Sequence, residues 1–300
     1  MKVCLISPRV PPAPMNFQFA MDLVGCAFSH IPLPLATLAA LTPKEVELVI
    51  VDENVEPIDL AVDADVIAFS GIYCQRRRLF ELADAFRARG RIVAIGGAIA
   101  TDLPDECRSH CDHLFIGEAE YTWPRFWEEL GRGQAQAEYR QDEPIDMRDS
   151  PVPLFDRLKV ERYSSGCVQA TRGCPHRCEY CEVPARQGSR PRSKPVAQVL
   201  EEVRRLAALG FDSIFFVDDY FVGNRRYARE LLTALAGLVK ELPTPIYFYA
   251  QVTLNVARDE EMLALFHAAQ FRRFFVGIET SDHDKLRAIH KPQNTEMDVR

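Results

Sequence analysis

Three cysteines, Cys174, Cys178 and Cys181, stand within the stretch QATRGCPHRCEYCEVP (169–184). Their CxxxCxxC spacing puts three soft ligands on one short loop with no fourth beside them. A structural zinc site draws four ligands, usually as two separated pairs. The chain has no second CxxC, and His176 falls between the first two cysteines, too close in the loop to face the same ion easily. A redox dithiol would use Cys178 and Cys181 alone and leave Cys174 without a role. Three thiolates at this spacing suit three irons of a [4Fe–4S] cluster and leave the remaining iron open to a small molecule. The other cysteines (Cys4, Cys26, Cys74, Cys107, Cys111 and Cys167) are scattered, and the total of nine is odd. That usage argues against a disulfide framework and for a reducing, cytoplasmic setting.

The loop needs a scaffold, and the chain alternates apolar runs with amphipathic segments throughout. Segments 2–7, 46–53, 65–71, 91–97 and 112–118 are rich in Val and Ile and read as buried parallel strands. Between them, 76–90 reads as a helix with Leu79, Ala83 and Phe86 on one face, and TDLPDECRSH (101–110) as a second helix capped by Thr101. Residues 1–131 are therefore expected to form a doubly wound α/β domain with its ligand edge at the strand C-termini. Residues 132–166 lose the periodicity, gain Pro and charge, and read as a linker strap. Over 167–300 the alternation resumes, with strands at 167–173, 213–219, 246–252 and 273–279 and helices at 196–209, 224–241 and 258–269. Repeated βα units point to a barrel of parallel strands. Four units do not close one, so either the sheet stays open or, the favoured expectation, this is the front portion of a longer protein.

A net charge of −7 leaves no whole-molecule basic surface, which disfavours nucleic acid as the main partner. The most apolar stretch, 20–41, is broken by Asp22, His30, Pro32 and Pro34 and makes a poor membrane span. Peripheral contact with a membrane stays open.

The segment GCPHRCEYCEVP, with aromatic Tyr180 before the last cysteine, resembles the signature of the radical S-adenosylmethionine superfamily. The resemblance implies a partial (β/α)6 barrel and S-adenosylmethionine chelated to the open iron. Reductive cleavage would yield methionine and a 5′-deoxyadenosyl radical, with the electron coming from a flavodoxin- or ferredoxin-like donor. It also implies cofactor contacts. Asp218 and Asp219 in FFVDDY would meet the methionine ammonium, in place of the family's commoner GGE-like turn. Gln251 and Asn255 in YFYAQVTLN would be further contacts, and Glu279 in VGIET would meet the adenosine ribose. The basic run RQGSRPRSKP (186–195) could steady a carboxylate or simply be solvated.

The first domain resembles the cobalamin-binding domain attached to one large class of these enzymes. FSGIYCQ (69–75), IGGAIAT (95–101), FIGEAEYTWP (115–124), VDENVEP (51–57) and PLPLATLAALTP (32–43) carry that likeness. It implies that Ser70, Gly71, Ile72 and Gln75 line the nucleotide-tail cleft, with Gly96, Gly97 and Ala98 beside it and Gly117 and Glu118 closing it. Gly96, Gly97 and Gly117 would let backbone approach a large planar ligand. The DxHxxG motif that supplies a lower axial histidine is absent; loop 8–19 is Pro-rich instead. Bound cobalamin would then be histidine-off.

Together these features imply methyl transfer to an unactivated carbon, and the runs FFVDDYFVGN and FVGIETSDHDKLRAIHKPQN look most like the group that includes hopanoid C-2 methylases. Bacteriochlorophyll side-chain methyltransferases are related neighbours. Phe215, Phe216, Tyr247, Phe248, Tyr249, Phe274 and Phe275 would suit an apolar, lipid- or tetrapyrrole-like small-molecule substrate, or an ordinary core. Two other classes share the motifs: a cobalamin-associated cyclase or rearrangement enzyme, and a non-catalytic cobalamin-binding module.

Overall fold

The alternation in KVCLIS sends Val3 and Leu5 to one face of a sheet and Cys4 and Ile6 to the other, and each pair joins a separate core. This strand, β1 (Lys2–Ser7), belongs to a computed structural model that describes residues 1–13 and 18–295 and divides into two units, Met1–Ser164 and Ser165–Arg300. The first unit continues with β2 (Phe28–His30), β3 (Glu47–Asp52), β4 (Val66–Ser70), β5 (Ile92–Gly96), β6 (His113–Ile116) and β7 (Glu138–Arg140). All but β2 form one parallel sheet in the order β3-β1-β4-β5-β6-β7. The strand order reverses between β1 and β4, where a crevice opens outside the strand C-termini in doubly wound sheets. Helix Arg76–Arg87 buries Leu79, Leu82, Ala83 and Phe86 on one sheet face, and Trp123, Phe126 and Trp127 of helix Thr122–Gly131 cover the other.

Two local expectations change. Thr101 lies inside helix Ala98–Asp102 instead of capping a helix, because its Oγ1 is used to accept the Gly117 N–H at 3.0 Å. The stretch read as a strap folds with the first unit. Its residues Glu138–Arg140 add the edge strand β7, where Tyr139 stacks on Phe115 with ring centroids 5.0 Å apart. Further on, Ile145, Met147 and Phe155 are buried, and the Leu154 N–H donates to Ala36 O at 3.0 Å. These apolar residues follow neither helical nor strand period, since irregular chain carries them. At the end of the unit, the buried Tyr163 hydroxyl donates to Asp52 Oδ2 at 2.8 Å. Beside it, Ser164 Oγ donates to Ser29 O in β2 at 2.9 Å.

β8 (Tyr163–Val168) leads into the second unit, followed by β9 (Thr171–Arg172), β10 (Arg192–Ser193), β11 (Ser213–Phe216), β12 (Tyr247–Val252) and β13 (Phe271–Val276). β8, β11, β12 and β13 lie side by side and parallel in that order. β9 and β10 form a separate two-stranded antiparallel ladder. The strand expected over 167–173 is thus split, because Gln169 and Ala170 turn the chain out of the sheet before the ladder begins. Helices Val196–Ala208, Arg225–Glu241 and Glu260–Ala268 follow β10, β11 and β12, the second capped by Asn224 and the third by Asp259. Phe216, Phe248 and Phe271 point from the sheet into an aromatic core with Phe221 and Phe266, at centroid distances of 5.0–5.5 Å. Among the described residues, no helix is long and apolar enough to cross a membrane.

Candidate active site in the second unit and ligand edge of the first

The cysteine loop hangs from the β9–β10 ladder, where Arg172 pairs with Arg192 and Thr171 with Ser193. Gly173 begins the loop at φ +95°, and a Cβ there would stand 2.8 Å from Gly188 O. The Cys174 N–H donates to that same carbonyl at 3.2 Å, and the Cys181 N–H to Cys178 O at 3.0 Å. The loop is therefore tied neck to neck by its own backbone, with all three cysteines half-buried.

Beneath the neck lies a buried polar network. Asp218 has no exposed surface. Its Oδ2 accepts the Ala170 N–H at 3.1 Å, and its Oδ1 accepts the Thr171 N–H at 2.5 Å and the Thr171 hydroxyl at 2.6 Å. Asp219 Oδ2 accepts the Gly173 N–H at 3.1 Å. The Lys194 N–H donates to Ala170 O at 2.9 Å, while its ammonium pairs with buried Glu202 at 2.7 Å, supported by Gln198 at 3.2 Å. Both contacts fall on Glu202 Oε1 and leave Oε2 buried without a partner among the described residues, so the pair fixes geometry more reliably than it adds stability. Both aspartates thus hold the start of the cysteine loop; Gln251, on the exposed side, reaches back to Asp218 O at 3.5 Å. Asn255 Oδ1 accepts the Thr253 hydroxyl at 2.5 Å and that of Tyr220 at 3.4 Å, and the Tyr220 ring lies 4.9 Å from the His176 ring.

The far side of the loop is held by residues 99 and 111 positions away from Tyr180. The Tyr180 hydroxyl donates to Glu279 Oε1 at 2.9 Å, and Lys291 Nζ reaches both Tyr180 Oη at 2.9 Å and Glu279 Oε1 at 2.6 Å. Lys291 and Tyr180 hold the Glu279 carboxyl below its usual range. Burial pulls the Lys291 ammonium down, and Glu279 and Tyr180 together outweigh it and hold it above its usual value. Glu279 itself sits at φ +63°, a conformation rare for a residue with a side chain. Lys291 had no sequence signal beyond a basic residue before Pro292. Replacing it with methionine is expected to cost about 1.5–3 kcal/mol, the value of hydrogen bonds to charged groups. Denaturant unfolding of Lys291→Met against the parent checks this, and an unchanged midpoint refutes the ion pair as an anchor.

Cys174, Cys178 and Cys181 are the soft donors that the loop offers to a metal. Burial pushes the Cys174 thiol up to about 11, and nearby Cys181, Asp219 and Cys178 add to it. Such a thiol becomes a thiolate when a cation binds it directly. Among the described residues no three His, Cys, Asp or Glu side chains are placed to share a single metal ion. A four-iron cluster would ask each thiolate to reach a different iron.

In the first unit the positions expected at the ligand edge divide by role. Ser70 ends β4 and Gly71 and Ile72 follow it, and Ile72 and Tyr73 expose 49% and 60% of their surface beside the strand-order reversal. Gly96, Gly97 and Ala98 link β5 to the next helix. Gln75 turns inward: its Oε1 accepts the Ile72 N–H at 2.9 Å and its amide donates to Pro8 O, so it braces the β1 and β4 loops. Glu118 accepts the Ile145 N–H at 2.8 Å and pins the following segment. At Gly97 (φ +83°) a Cβ would meet Gly71 O at 2.7 Å, and at Gly117 (φ +86°) Gln141 O at 2.3 Å. The missing side chains at these two sites make room first for the protein's own backbone. Gly97→Ala is expected to destabilise the protein by about 2–4 kcal/mol, through positive φ and overpacking. Thermal unfolding tests it; a variant as stable as the parent would show that the β4 and β5 loops can separate.

Residues 168–299 match the profile of the Radical SAM superfamily. The chain is 37% identical over 299 residues to an uncharacterised methyltransferase of Synechocystis sp., covering 98% of this chain and 56% of that one. It is 30% identical over 301 residues to the hopanoid C-2 methylase of Rhodopseudomonas palustris, covering 98% and 57%. The chain thus spans somewhat over half the length of these curated relatives. Among solved structures, the cobalamin-dependent S-adenosylmethionine radical enzyme OxsB superposes with a TM-score of 0.76 at 18% identity, over 98% of this chain and 46% of that one. The radical S-adenosylmethionine methyltransferase TsrM from Kitasatospora setae gives 0.72 at 18%, over 95% and 60%. At that identity the likeness is one of fold.

Proposed function

We propose, from the match of residues 168–299 to the Radical SAM superfamily, that the chain serves a cobalamin-dependent methylation of an unactivated carbon on an apolar small molecule. The observation that carries the reading is the cysteine loop: three thiols on a neck clamped by Asp218, Asp219 and the β9–β10 ladder, with Tyr180 anchored to Glu279 and Lys291. Cys174, Cys178 and Cys181 would hold a [4Fe–4S] cluster. Asp219, Gln251, Asn255 and Glu279, which surround the loop, are the groups available to orient S-adenosylmethionine. When bound, the cluster with S-adenosylmethionine supplies the means to abstract a hydrogen atom, and cobalamin supplies the methyl group.

What this chain's residues do is position and exclude water. In the first unit, the exposed Ile72 and Tyr73 side chains beside the strand-order reversal suit a large flat ligand, with Ser70, Gly71, Gly96, Gly97, Ala98 and Gly117 forming the surrounding edge. Gln75 and Glu118 support that edge from below. An apolar substrate is supported by the row Phe215, Tyr249 and Phe275, which lies on the sheet face opposite the Phe216–Phe248–Phe271 core. Strand alternation separates the two sets, so the row is not needed to pack the helices. A flavodoxin- or ferredoxin-like protein is the proposed electron donor to a loop that exposes Arg177 and Arg190 alongside Glu179 and Glu182.

The test is anaerobic reconstitution of the full chain with iron, sulfide and hydroxocobalamin, followed by desalting and turnover with S-adenosylmethionine and a reductant. The expected result is retained cobalamin, with S-adenosylhomocysteine and 5′-deoxyadenosine appearing together. Cobalamin lost on desalting would remove the methylation reading and leave the radical one. 5′-Deoxyadenosine alone, with cobalamin retained, would favour a rearrangement.

A further inference from the structure

The segment after Ala288 returns to the cysteine loop at three points. Ile289 O accepts the Glu179 N–H at 3.1 Å, Lys291 grips Tyr180, and Gln293 Nε2 lies 3.5 Å from Cys178 Sγ. Only the last reaches a sulfur. Gln293 is held in place from both sides of a short turn, Pro292–Asn294. Asn294 is buried and donates to Gly277 O at 2.8 Å and to Ile278 O at 3.3 Å, which fixes where the glutamine projects. The Gln293 Oε1 is buried and finds no hydrogen-bond partner among the described residues. No bond at the oxygen end dictates the orientation of the amide. Against a thiolate only the N–H side is attractive, since an amide oxygen would set lone pairs against a negative sulfur.

We propose that Gln293 tunes the cluster: its amide donates a hydrogen bond to the Cys178 thiolate and raises the cluster's reduction potential. The inference rests on the reading of Cys174, Cys178 and Cys181 as cluster ligands. Reduction adds one electron to the cluster, and part of that charge falls on the sulfur ligands. A donor already aimed at one sulfur stabilises the reduced form more than the oxidised form. A glutamine in this place makes the cluster easier to reduce by a weak biological donor.

The experiment is a potentiometric titration of the anaerobically reconstituted full chain, followed by electron paramagnetic resonance, with dithionite supplying one electron per cluster and no substrate present. At the parent's midpoint, Gln293→Leu is expected to raise the ratio of oxidised to reduced cluster about tenfold, equivalent to about 59 mV for a one-electron couple. Gln293→Glu, which sets a carboxylate against the sulfur, is expected to move it further the same way. An unchanged midpoint in Gln293→Leu with full iron and sulfide content overturns the inference and leaves the cluster reading standing. Should the leucine variant lose iron, Gln293→Met takes its place, with the same two outcomes. A parent chain that takes up no [4Fe–4S] cluster overturns the cluster reading itself.

Discussion

Replacing Cys174, Cys178 and Cys181 together by alanine is expected to abolish iron and sulfide incorporation and to bring reductive cleavage of S-adenosylmethionine down to the uncatalysed background. The loop supplies thiolates: the His176 ring lies tilted against that of Tyr220, and no other cysteine lies on the loop. The fold should survive the change. The neck is held by the β9–β10 ladder, by Asp218 and Asp219, and by Lys194 with Glu202, none of which involves a cysteine side chain. Circular dichroism and the denaturant midpoint should therefore stay near those of the parent, while the broad visible absorption of the cluster disappears. Persistence of that absorption in the triple variant would end the assignment of these ligands.

Asp218→Ala is expected to have the largest effect on stability of any single polar substitution in the second unit, about 3–5 kcal/mol. It leaves the Ala170 N–H, the Thr171 N–H and the Thr171 hydroxyl buried without an acceptor, at about 1–3 kcal/mol for each group left unsatisfied. Asp218→Asn keeps the shape but turns one acceptor into a donor facing the Ala170 N–H, so it should lie between. The charge state separates this from a plain packing defect. Burial pushes the Asp218 carboxyl up to about 7, against its hydrogen bonds and helped by the neighbouring Asp219. Because the folded value lies above the unfolded one, its contribution is fully present below about pH 4. It is lost as pH rises through about 7. The parent should thus lose stability across that window, and Asp218→Asn should lose less across it. Equal slopes for the two proteins between pH 5 and pH 8 in denaturant titrations would show that Asp218 is not raised.

How far the sequence carried can be judged from particular elements. Strands β1, β3, β4, β5, β6, β11 and β12 were legible to within a few residues, because their Val, Ile and Phe runs are buried between helices and bounded by polar turns. β7 was not: three residues with one apolar side chain make no period, and Tyr139 is buried because Phe115 stands beside it. The helix Arg76–Arg87 was plain from Leu79, Ala83 and Phe86, whereas Thr101 was misjudged because its partner, Gly117, is sixteen residues on. At the site, the cysteine spacing needed no structure to be read. That Asp218 faces inward and ties the loop depends on where β11 ends relative to β8, which the parallel register sets.

The sequence by itself determined two things about this protein: three thiols on a loop too short for any other use of all of them, and two successive α/β patterns to carry it. Those follow from local chemistry, from ligand type and spacing and from the periods of strand and helix. The tertiary structure decided which residues face the loop and which only support it. Tyr180 meets Glu279 and Lys291, Gln293 meets Cys178, and Gln75 turns to Pro8, across separations of 67 to 115 residues. No pattern within a window of that chain encodes such pairs, because they form only once sheet register has fixed where each strand end points.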